Sequence, residues 1–127
     1  MGVLDAFRPK WKHSDPDVRI AAADEIDDPT ILRGMVIEDA HWFVRHRVFD
    51  ILREKYPDQE MYADLARNSN DEEIRRKAVK KLQDTSILEA VAENDKYRYV
   101  RDAAEHRLEE LRTNLWGEKP VTGEAPN

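Results

Sequence analysis

Histidines and carboxylates are the side chains of this sequence that are best suited to acid–base or metal chemistry. His41 and His46 lie five positions apart and would not share a helix face, and His13 and His106 have no histidine near them in the sequence. The chain has 27 carboxylates, so close pairs such as Asp27-Asp28 are expected from composition alone. There is no cysteine, which excludes thiol catalysis, disulfides and thiolate metal ligands. We therefore predict no catalytic, cofactor or metal site and expect a protein that is not an enzyme.

Arginines form a second set of polar side chains, and they recur at regular intervals. Each follows an aliphatic residue, and the four pairs begin 26, 30 and 26 positions apart. A small or aliphatic residue follows four positions after the first member of each pair and an aliphatic one follows after eight, so these positions line one helix face. The repeated positions are Val18-Arg19, Ala22 and Ile26; Val44-Arg45, Val48 and Leu52; Ile74-Arg75, Ala78 and Leu82; and Val100-Arg101, Ala104 and Leu108. We interpret the chain as four repeats, which bury their apolar stripes only by stacking.

About seven helices are predicted to carry these positions. An aspartate followed by proline marks a helix start, because the carboxylate caps free N–H groups and proline at the first position loses none. Asn70 and Glu73 match a capping box, in which two side chains bond backbone N–H groups reciprocally. Asp15-Pro16 and Asp28-Pro29 mark the starts of the first two helices, and the second helix ends near Asp39. The third helix begins around Ala40 and is ended by Pro57. The fourth and fifth helices start at Asp58 and Asn70, and the last helix runs from about Lys96 to Leu115. The four additional residues of the longer interval are placed in the turn region Tyr56–Asp58.

The amino-acid composition narrows the classes of protein to which this chain can belong. Charged residues are 38% and hydrophobic residues 40% of the chain, which is typical of a folded and very soluble helical protein. The net charge of -6 makes nucleic acid an unexpected partner, because nucleic-acid binding depends on basic surface. No apolar run approaches the roughly 18 residues of a membrane span, and the N-terminus lacks the pattern of a signal peptide. We therefore expect no membrane contact and a cytoplasmic location.

The pattern Asp-x-x-Val-Arg-x-x-Ala-x-x-x-Ile, followed by a short second helix, resembles the HEAT-like repeats over roughly residues 14–112. The compact spacing of 26 residues is similar to the short variant found in many small bacterial and archaeal proteins. The resemblance implies an all-α fold of the armadillo-like kind, a right-handed α-solenoid (alpha-alpha superhelix) of about four short repeats. We divide the chain into a lead-in that caps the first repeat (1–13), the repeat domain (14–116) and a disordered tail (117–127).

The resemblance also gives the repeated arginines a structural role. In HEAT-like repeats the matching arginine commonly pairs with acidic groups at the turn of an adjoining repeat. The aspartates placed for that role here are Asp15, Asp39, Asp71 and Asp95. We expect such pairs to be exposed and to contribute about 0–1 kcal/mol each. Some HEAT-like proteins are iron hydroxylases, but the paired His-Glu dipeptides that hold their iron do not occur in this sequence, where Glu105-His106 has the reverse order.

In this family the Val-Arg helices line the concave side, so the resemblance implies that residues flanking each pair look into a groove. The predicted partner-binding residues are Trp42, His46, Arg47, Arg76, Lys77, Lys80, Arg98, Tyr99 and His106. Aromatic and arginine side chains are typical of the hot spots of protein interfaces. We expect Phe43 to pack in the core and Tyr97 to pack against its neighbours. Tyr56 and Tyr62 are expected to fill the wider second turn, while Trp42 is left open between groove and core.

These patterns favour a non-catalytic scaffold that binds an unidentified protein or peptide in the concave groove, as a monomer or weak homo-oligomer. Two alternatives stay open. One is an accessory or lyase-type protein that acts on a tetrapyrrole or similar ligand, as some HEAT-like proteins do. The other is a nucleic-acid-binding HEAT-like module, since aromatic side chains beside cations suit stacking on bases.

Overall fold

The structure, a computed structural model, describes residues 3–115, and its regular elements in that range are all helical. Two short 3-10 helices, Val3–Phe7 and Lys10–Lys12, precede seven α-helices. The α-helices are α1 (Pro16–Ala23), α2 (Pro29–Glu38), α3 (Trp42–Lys55), α4 (Gln59–Asn68), α5 (Glu72–Val79), α6 (Thr85–Asn94) and α7 (Arg98–Leu115). The predicted all-α class and the number of helices are confirmed over this range. The tail predicted at 117–127 lies outside the described residues.

Aspartate caps start most of the helices, as the sequence indicates. The carboxylates of Asp15 and Asp28 accept the backbone N–H two residues on, and each is followed by a proline in the first helical turn. At α5 the predicted cap is wrong by one residue: Asp71, not Asn70, accepts the N–H groups of Glu73 and Ile74, at 2.9 and 3.2 Å. The capping box does not form, because the Glu73 carboxylate accepts bonds from an arginine of its own helix instead.

The boundaries of the longer helices also differ from the prediction. The third helix begins at Trp42 and not around Ala40, because the His41 imidazole caps it by accepting the Phe43 N–H. The last helix begins at Arg98, since the Asp95 carboxylate holds the preceding Tyr97 N–H.

The four additional residues of the second repeat extend helix α3 instead of widening the turn after it. Helix α3 has 14 residues, whereas α1 and α5 have 8 each. The extension is held by the turn between α1 and α2, where the Lys55 ammonium donates to the Asp24 carbonyl and the Tyr56 hydroxyl donates to the Asp27 carbonyl. The predicted placement of these residues in the Tyr56–Asp58 turn is therefore wrong.

Helices pack in two parallel series of contacts. The odd-numbered helices contact one another in order (α1 with α3, α3 with α5, α5 with α7), and so do α2, α4 and α6. Cross-contacts join α2 to α3, α4 to α5 and α6 to α7. The aliphatic positions of the second to fourth repeats lie in the shared core, where Val44, Ile74 and Val100 are fully buried. In the first repeat Val18 is only half-buried, because its helix has a neighbouring helix of the series on one side alone.

The repeated arginines make the same bonds in successive repeats. Each guanidinium donates through Nη1 to the backbone carbonyl six residues earlier, at His13, Asp39, Ser69 and Asp95 in turn. Three of them also bond the carboxylate that precedes the next odd helix, in the pairs Arg19–Asp39, Arg45–Asp71 and Arg75–Asp95. This pairing confirms the predicted role of Asp39, Asp71 and Asp95, whereas Asp15 caps α1 and has no arginine within salt-bridge distance among the described residues. The expectation that such pairs are exposed is wrong, because neighbouring helices cover them; Arg75 is 8% exposed.

The first repeat is covered in part by the lead-in. Trp11 is half-buried and packs against the core, and the second 3-10 helix contacts α1. Phe7 stands out from this arrangement, with 87% of its surface exposed. Within residues 3–115, no helix is both long and apolar enough to cross a lipid bilayer.

Candidate binding groove

An open groove of about 1070 Å³ runs beside helices α3, α5 and α7. Its floor includes the buried Phe49 ring and the half-buried Ala103, and Tyr99 stands at its edge with 42% exposure. Most of the wall is charged. The charged and imidazole side chains that line it are Asp50, Arg53, Glu73, Arg76, Lys77, Lys80, Lys81, Asp102, His106, Arg107 and Glu110.

Five of the nine predicted partner-binding residues line this groove. They are Arg76, Lys77, Lys80, Tyr99 and His106. Trp42 and His46 line an adjoining concavity, also of about 1070 Å³, and the groove and the concavity share Glu73 and Lys77.

Two predicted residues, Arg47 and Arg98, line neither the groove nor the concavity. Arg47 reaches across to α1 instead, where its guanidinium lies 3.2 Å from the Asp24 carboxylate. Arg98 is highly exposed and lies 3.7 Å from the carboxylate of Asp102, one turn further along α7. The structure therefore brings seven of the predicted residues to the groove and the adjoining concavity, and it places the other two outside both.

The carboxylates of the groove wall are already engaged by arginines. Glu73 accepts hydrogen bonds from Nε and Nη2 of Arg76, and the shortest of these contacts is 2.5 Å. Asp50 lies 3.3 Å from Arg53, and Glu110 lies 3.2 Å from Arg107. The fourth wall carboxylate, that of Asp102, has its arginine neighbour on α7. Hydrogen bonding to Arg76 lowers the pKa of Glu73 despite desolvation, so this carboxylate is held in its charged form.

The lysines of the wall are not engaged in this way. Among the described residues, the ammonium groups of Lys77, Lys80 and Lys81 have no carboxylate oxygen within salt-bridge distance. Lys77 bonds the His46 Nδ1 atom at 3.0 Å, and its ammonium lies 5.8 Å from the centre of the Phe49 ring. The positive charge in this groove is therefore concentrated on the lysines of α5 and the turn after it.

His46 links the groove to the adjoining concavity. Its Nε2 atom lies 3.0 Å from the Asp71 carboxylate, which also bonds Arg45. Since an ammonium can only donate, Lys77 requires an unprotonated Nδ1, and His46 then carries its proton on Nε2 and donates to Asp71. Burial raises the pKa of Asp71, but the Ile74 N–H, Arg45 and His46 lower it by more, so its net shift is downward.

Both ring nitrogens of His46 are bonded by charged groups, and among residues 3–115 neither is hydrogen-bonded to a hydroxyl that it could activate as a nucleophile. His106, which lines the groove itself, is exposed on α7, and its Nδ1 atom lies 3.7 Å from the Glu110 carboxylate. Among the described residues there is no group of three histidines or carboxylates able to hold a metal ion. The wall instead offers charges and aromatic faces, which suit the non-covalent binding of a partner.

Exposed aromatic rings flank the start of α5. Trp42 is 61% exposed, which places it on the surface, and it packs edge-on against Phe43 with ring centres 5.5 Å apart. Phe43 is 51% exposed, so its predicted place in the core is wrong. Tyr97 and Tyr99 form a similar edge-on pair at 6.2 Å, and the Arg75 guanidinium lies over the Tyr97 ring.

The two tyrosines of the second turn behave as predicted in part. Tyr62 is buried and packs against Phe49, with ring centres 6.5 Å apart. Tyr56 is half-buried against the core and turns its hydroxyl to the α1–α2 turn.

Several wall residues escaped the sequence reasoning. Lys81 and Arg107 are absent from the predicted partner-binding residues, although both line the groove. Helical spacing could have found Arg107, which follows Tyr99 by eight positions on α7, but Lys81 lies in the turn after α5, where helix periodicity gives no signal. Phe49 gave no such signal, because its place in the floor depends on how α3 meets α5 and not on the residues beside it in the sequence.

Comparisons with known proteins add no relative. No protein-family model, curated protein or solved structure matches the chain.

Proposed function

We propose that this protein is a non-catalytic binding scaffold, built as an α-solenoid of four HEAT-like repeats, whose groove holds a segment of a partner protein. The contacts in series support the solenoid: odd helices follow one another, even helices do the same, and the arginine network repeats with them. Stacked repeats of this kind create extended concave surfaces.

The observation that carries the proposal is the groove beside α3, α5 and α7. It is open, it has an apolar floor at Phe49 and Ala103, and its wall combines the exposed Tyr99 with lysines that have no carboxylate within salt-bridge distance in the described part of the chain. Its volume of about 1070 Å³ is at the upper limit of small-molecule sites, which span about 300–1,000 Å³ and enclose most of the ligand. An extended peptide fits an open groove of this size better than a small molecule does.

A site-specific cross-link tests the proposal. The photoreactive residue p-benzoylphenylalanine would replace Tyr99 in one protein and Phe7 in a second. Both positions already carry exposed aromatic rings, so neither change disturbs the core, and Phe7 is remote from the groove in sequence. Each protein would be irradiated in a lysate of the source cells, and the adducts would be identified by mass spectrometry.

We expect a protein adduct from position 99 that position 7 does not give. Peptide mapping of that adduct should find one continuous partner segment attached. Equal adducts from both positions would mean non-specific contact, and the absence of a protein adduct at position 99 would refute the proposed function. Circular dichroism of both proteins provides the control that the helical fold is intact.

A further inference from the structure

We propose that the segment bound in the groove is acidic, with at least two carboxylates that contact Lys77, Lys80 and Lys81 and an apolar side chain that packs on Tyr99 and Ala103. This inference rests on the proposed function and names the chemical class of the partner.

The three lysines form one cationic row. Lys77 lies in the last turn of α5, Lys80 and Lys81 lie in the turn that follows, and all three line the groove wall. Lys80 and Lys81 are exposed, and neither has a carboxylate at salt-bridge distance among residues 5–114. Lysines at a helix C-terminus also interact favourably with the helix dipole, but that interaction is the same on every face of a helix. It does not account for their place on the concave side, beside an exposed tyrosine.

The groove wall has more positive than negative side chains, and a partner can supply the missing negative charge. Its six lysines and arginines face four aspartates and glutamates, although the whole chain carries a net charge of -6. Three of the four carboxylates have an arginine of the wall as neighbour, and Asp102 has Arg98, which lies outside the groove, so within the described residues the charge left without a carboxylate neighbour is that of the three lysines. An acidic segment is complementary to this row, whereas a basic segment would be repelled by it.

The wall also distinguishes an acidic peptide from a nucleic acid. A phosphate backbone carries a charge at every nucleotide, and it would pass the carboxylates of Asp50, Asp102 and Glu110 on its way along the groove. A peptide can place its carboxylates at the lysine row alone and apolar side chains elsewhere. Helix α7 spans about 16 Å from Tyr99 to Glu110 at the helical rise, which an extended peptide covers with about five residues.

Selection from a library of displayed random peptides tests the inference directly, because it asks which peptide chemistry the groove prefers. Peptides of about ten residues would be selected on the full-length wild-type protein, which leaves room beyond the five that the groove spans. The best peptide, and its analogue with glutamine and asparagine in place of the acids, would be titrated by fluorescence anisotropy. The same titration would be made with the variant Lys80→Ala/Lys81→Ala and with Lys10→Ala/Lys12→Ala. The latter removes two exposed lysines of the lead-in and is the matched control for charge.

We expect the selected peptides to be rich in acidic and apolar residues. The Lys80/Lys81 change should weaken binding by about fivefold to thirtyfold, and the control change by less than about twofold. Selected peptides that are neutral or basic, but that lose affinity on Tyr99→Ala, would overturn the acidic partner and leave the proposed function standing. If no peptide is selected, both fail.

Two other occupants have distinct signatures. A single-stranded oligonucleotide that binds more tightly than the best peptide would overturn the inference in favour of a nucleic acid. A wild-type dimer in light scattering that the Lys80→Ala/Lys81→Ala variant no longer forms would overturn it in favour of a second copy of the chain.

Discussion

The bond between Arg75 and Asp95 offers the sharpest test of how the groove is held in shape. It ties α5 to the start of α7, and these two helices carry most of the groove wall. The guanidinium makes two bonds to the carboxylate, of 2.8 and 3.1 Å, and one of 2.9 Å to the Ser69 carbonyl. The side chains of Arg75 and Asp95 are 9% and 7% exposed, so neither ion can recover hydration if its partner is removed.

The cost of breaking this pair follows from its burial. Removing one partner of a buried ion pair typically costs about 3–5 kcal/mol, because the remaining charge stays buried and uncompensated. Asp95→Ala also loses the bond to the Tyr97 N–H, a capping contact of about 1 kcal/mol. We expect about 4 kcal/mol for Asp95→Ala and about 3 kcal/mol for Arg75→Met. The double change should cost about 2 kcal/mol less than the sum, because neither charge is left unpaired.

Urea unfolding followed by circular dichroism measures these costs. At a slope of about 2 kcal/mol per molar urea, a loss of 4 kcal/mol lowers the midpoint by about 2 M. Arg101→Met is the matched control, since Arg101 occupies the same repeat position and, among the described residues, its side chain bonds the Asp95 carbonyl alone, at 2.7 Å. It should cost about 1 kcal/mol. If Arg75→Met costs no more than Arg101→Met, or the coupling in the double variant is below about 0.5 kcal/mol, the buried pair is not what joins α5 to α7.

Three further predictions concern the core, the pH dependence of stability and the histidine of the site. Ile74→Ala should lower the free energy of unfolding by about 2–5 kcal/mol in urea, and the half-buried Ile87→Ala by less, because Ile74 is fully buried. The net pKa shift of Asp95 is downward, because desolvation is outweighed by the bonds from Arg75 and the Tyr97 N–H. The stability that the Asp95 carboxylate contributes is therefore complete above the unfolded pKa of about 3.9 and is lost as the pH falls further. In urea unfolding at a series of pH values from 5 downward, Asp95→Asn should make the free energy of unfolding fall less steeply than in the wild type. Nitrogen NMR at neutral pH should find His46 protonated on Nε2 only, and Lys77→Met should remove that preference; an Nδ1–H signal in the wild type would contradict the bond from Lys77.

The sequence allowed the repeat positions to be predicted because they depend on local spacing. Val44, Ile74 and Val100 are buried as the aliphatic–arginine pattern requires, and each directly precedes one of the repeated arginines. Phe43 shows the limit of the same reasoning. It precedes Val44 by one position, and one residue turns a side chain by about 100° around a helix, so burial of Val44 directs Phe43 away from the core. Its hydrophobicity suggested a place in the core for Phe43, but its position on the helix puts the ring on the surface.

The burial of the arginine pairs could not be predicted from spacing. Their partners were identified correctly at Asp39, Asp71 and Asp95 because the repeat places each aspartate before the next odd helix. Their exposure depends on how closely the neighbouring helices and rings cover them, as the Tyr97 ring covers Arg75. The same holds for the groove: Phe49 reaches its floor only because α3, α5 and α7 meet there, which is a property of the packed helices and not of any one segment.

Arginine and lysine have different electrostatic roles in this protein. Arginine offers a planar fork that matches a carboxylate, so it makes the bidentate bonds that join repeats and also engages the acids of the groove wall. Lysine is a flexible and strongly hydrated point charge, and the row at 77, 80 and 81 takes no carboxylate within the described part of the chain. This explains how an acidic protein presents a positive groove: its arginines neutralise the nearby acids, and its lysines stay available. Exchanging the two residue types at Lys80 and Lys81 would test that division, since arginine there should draw Asp50 or Asp102 into new bonds and weaken the binding of an acidic peptide.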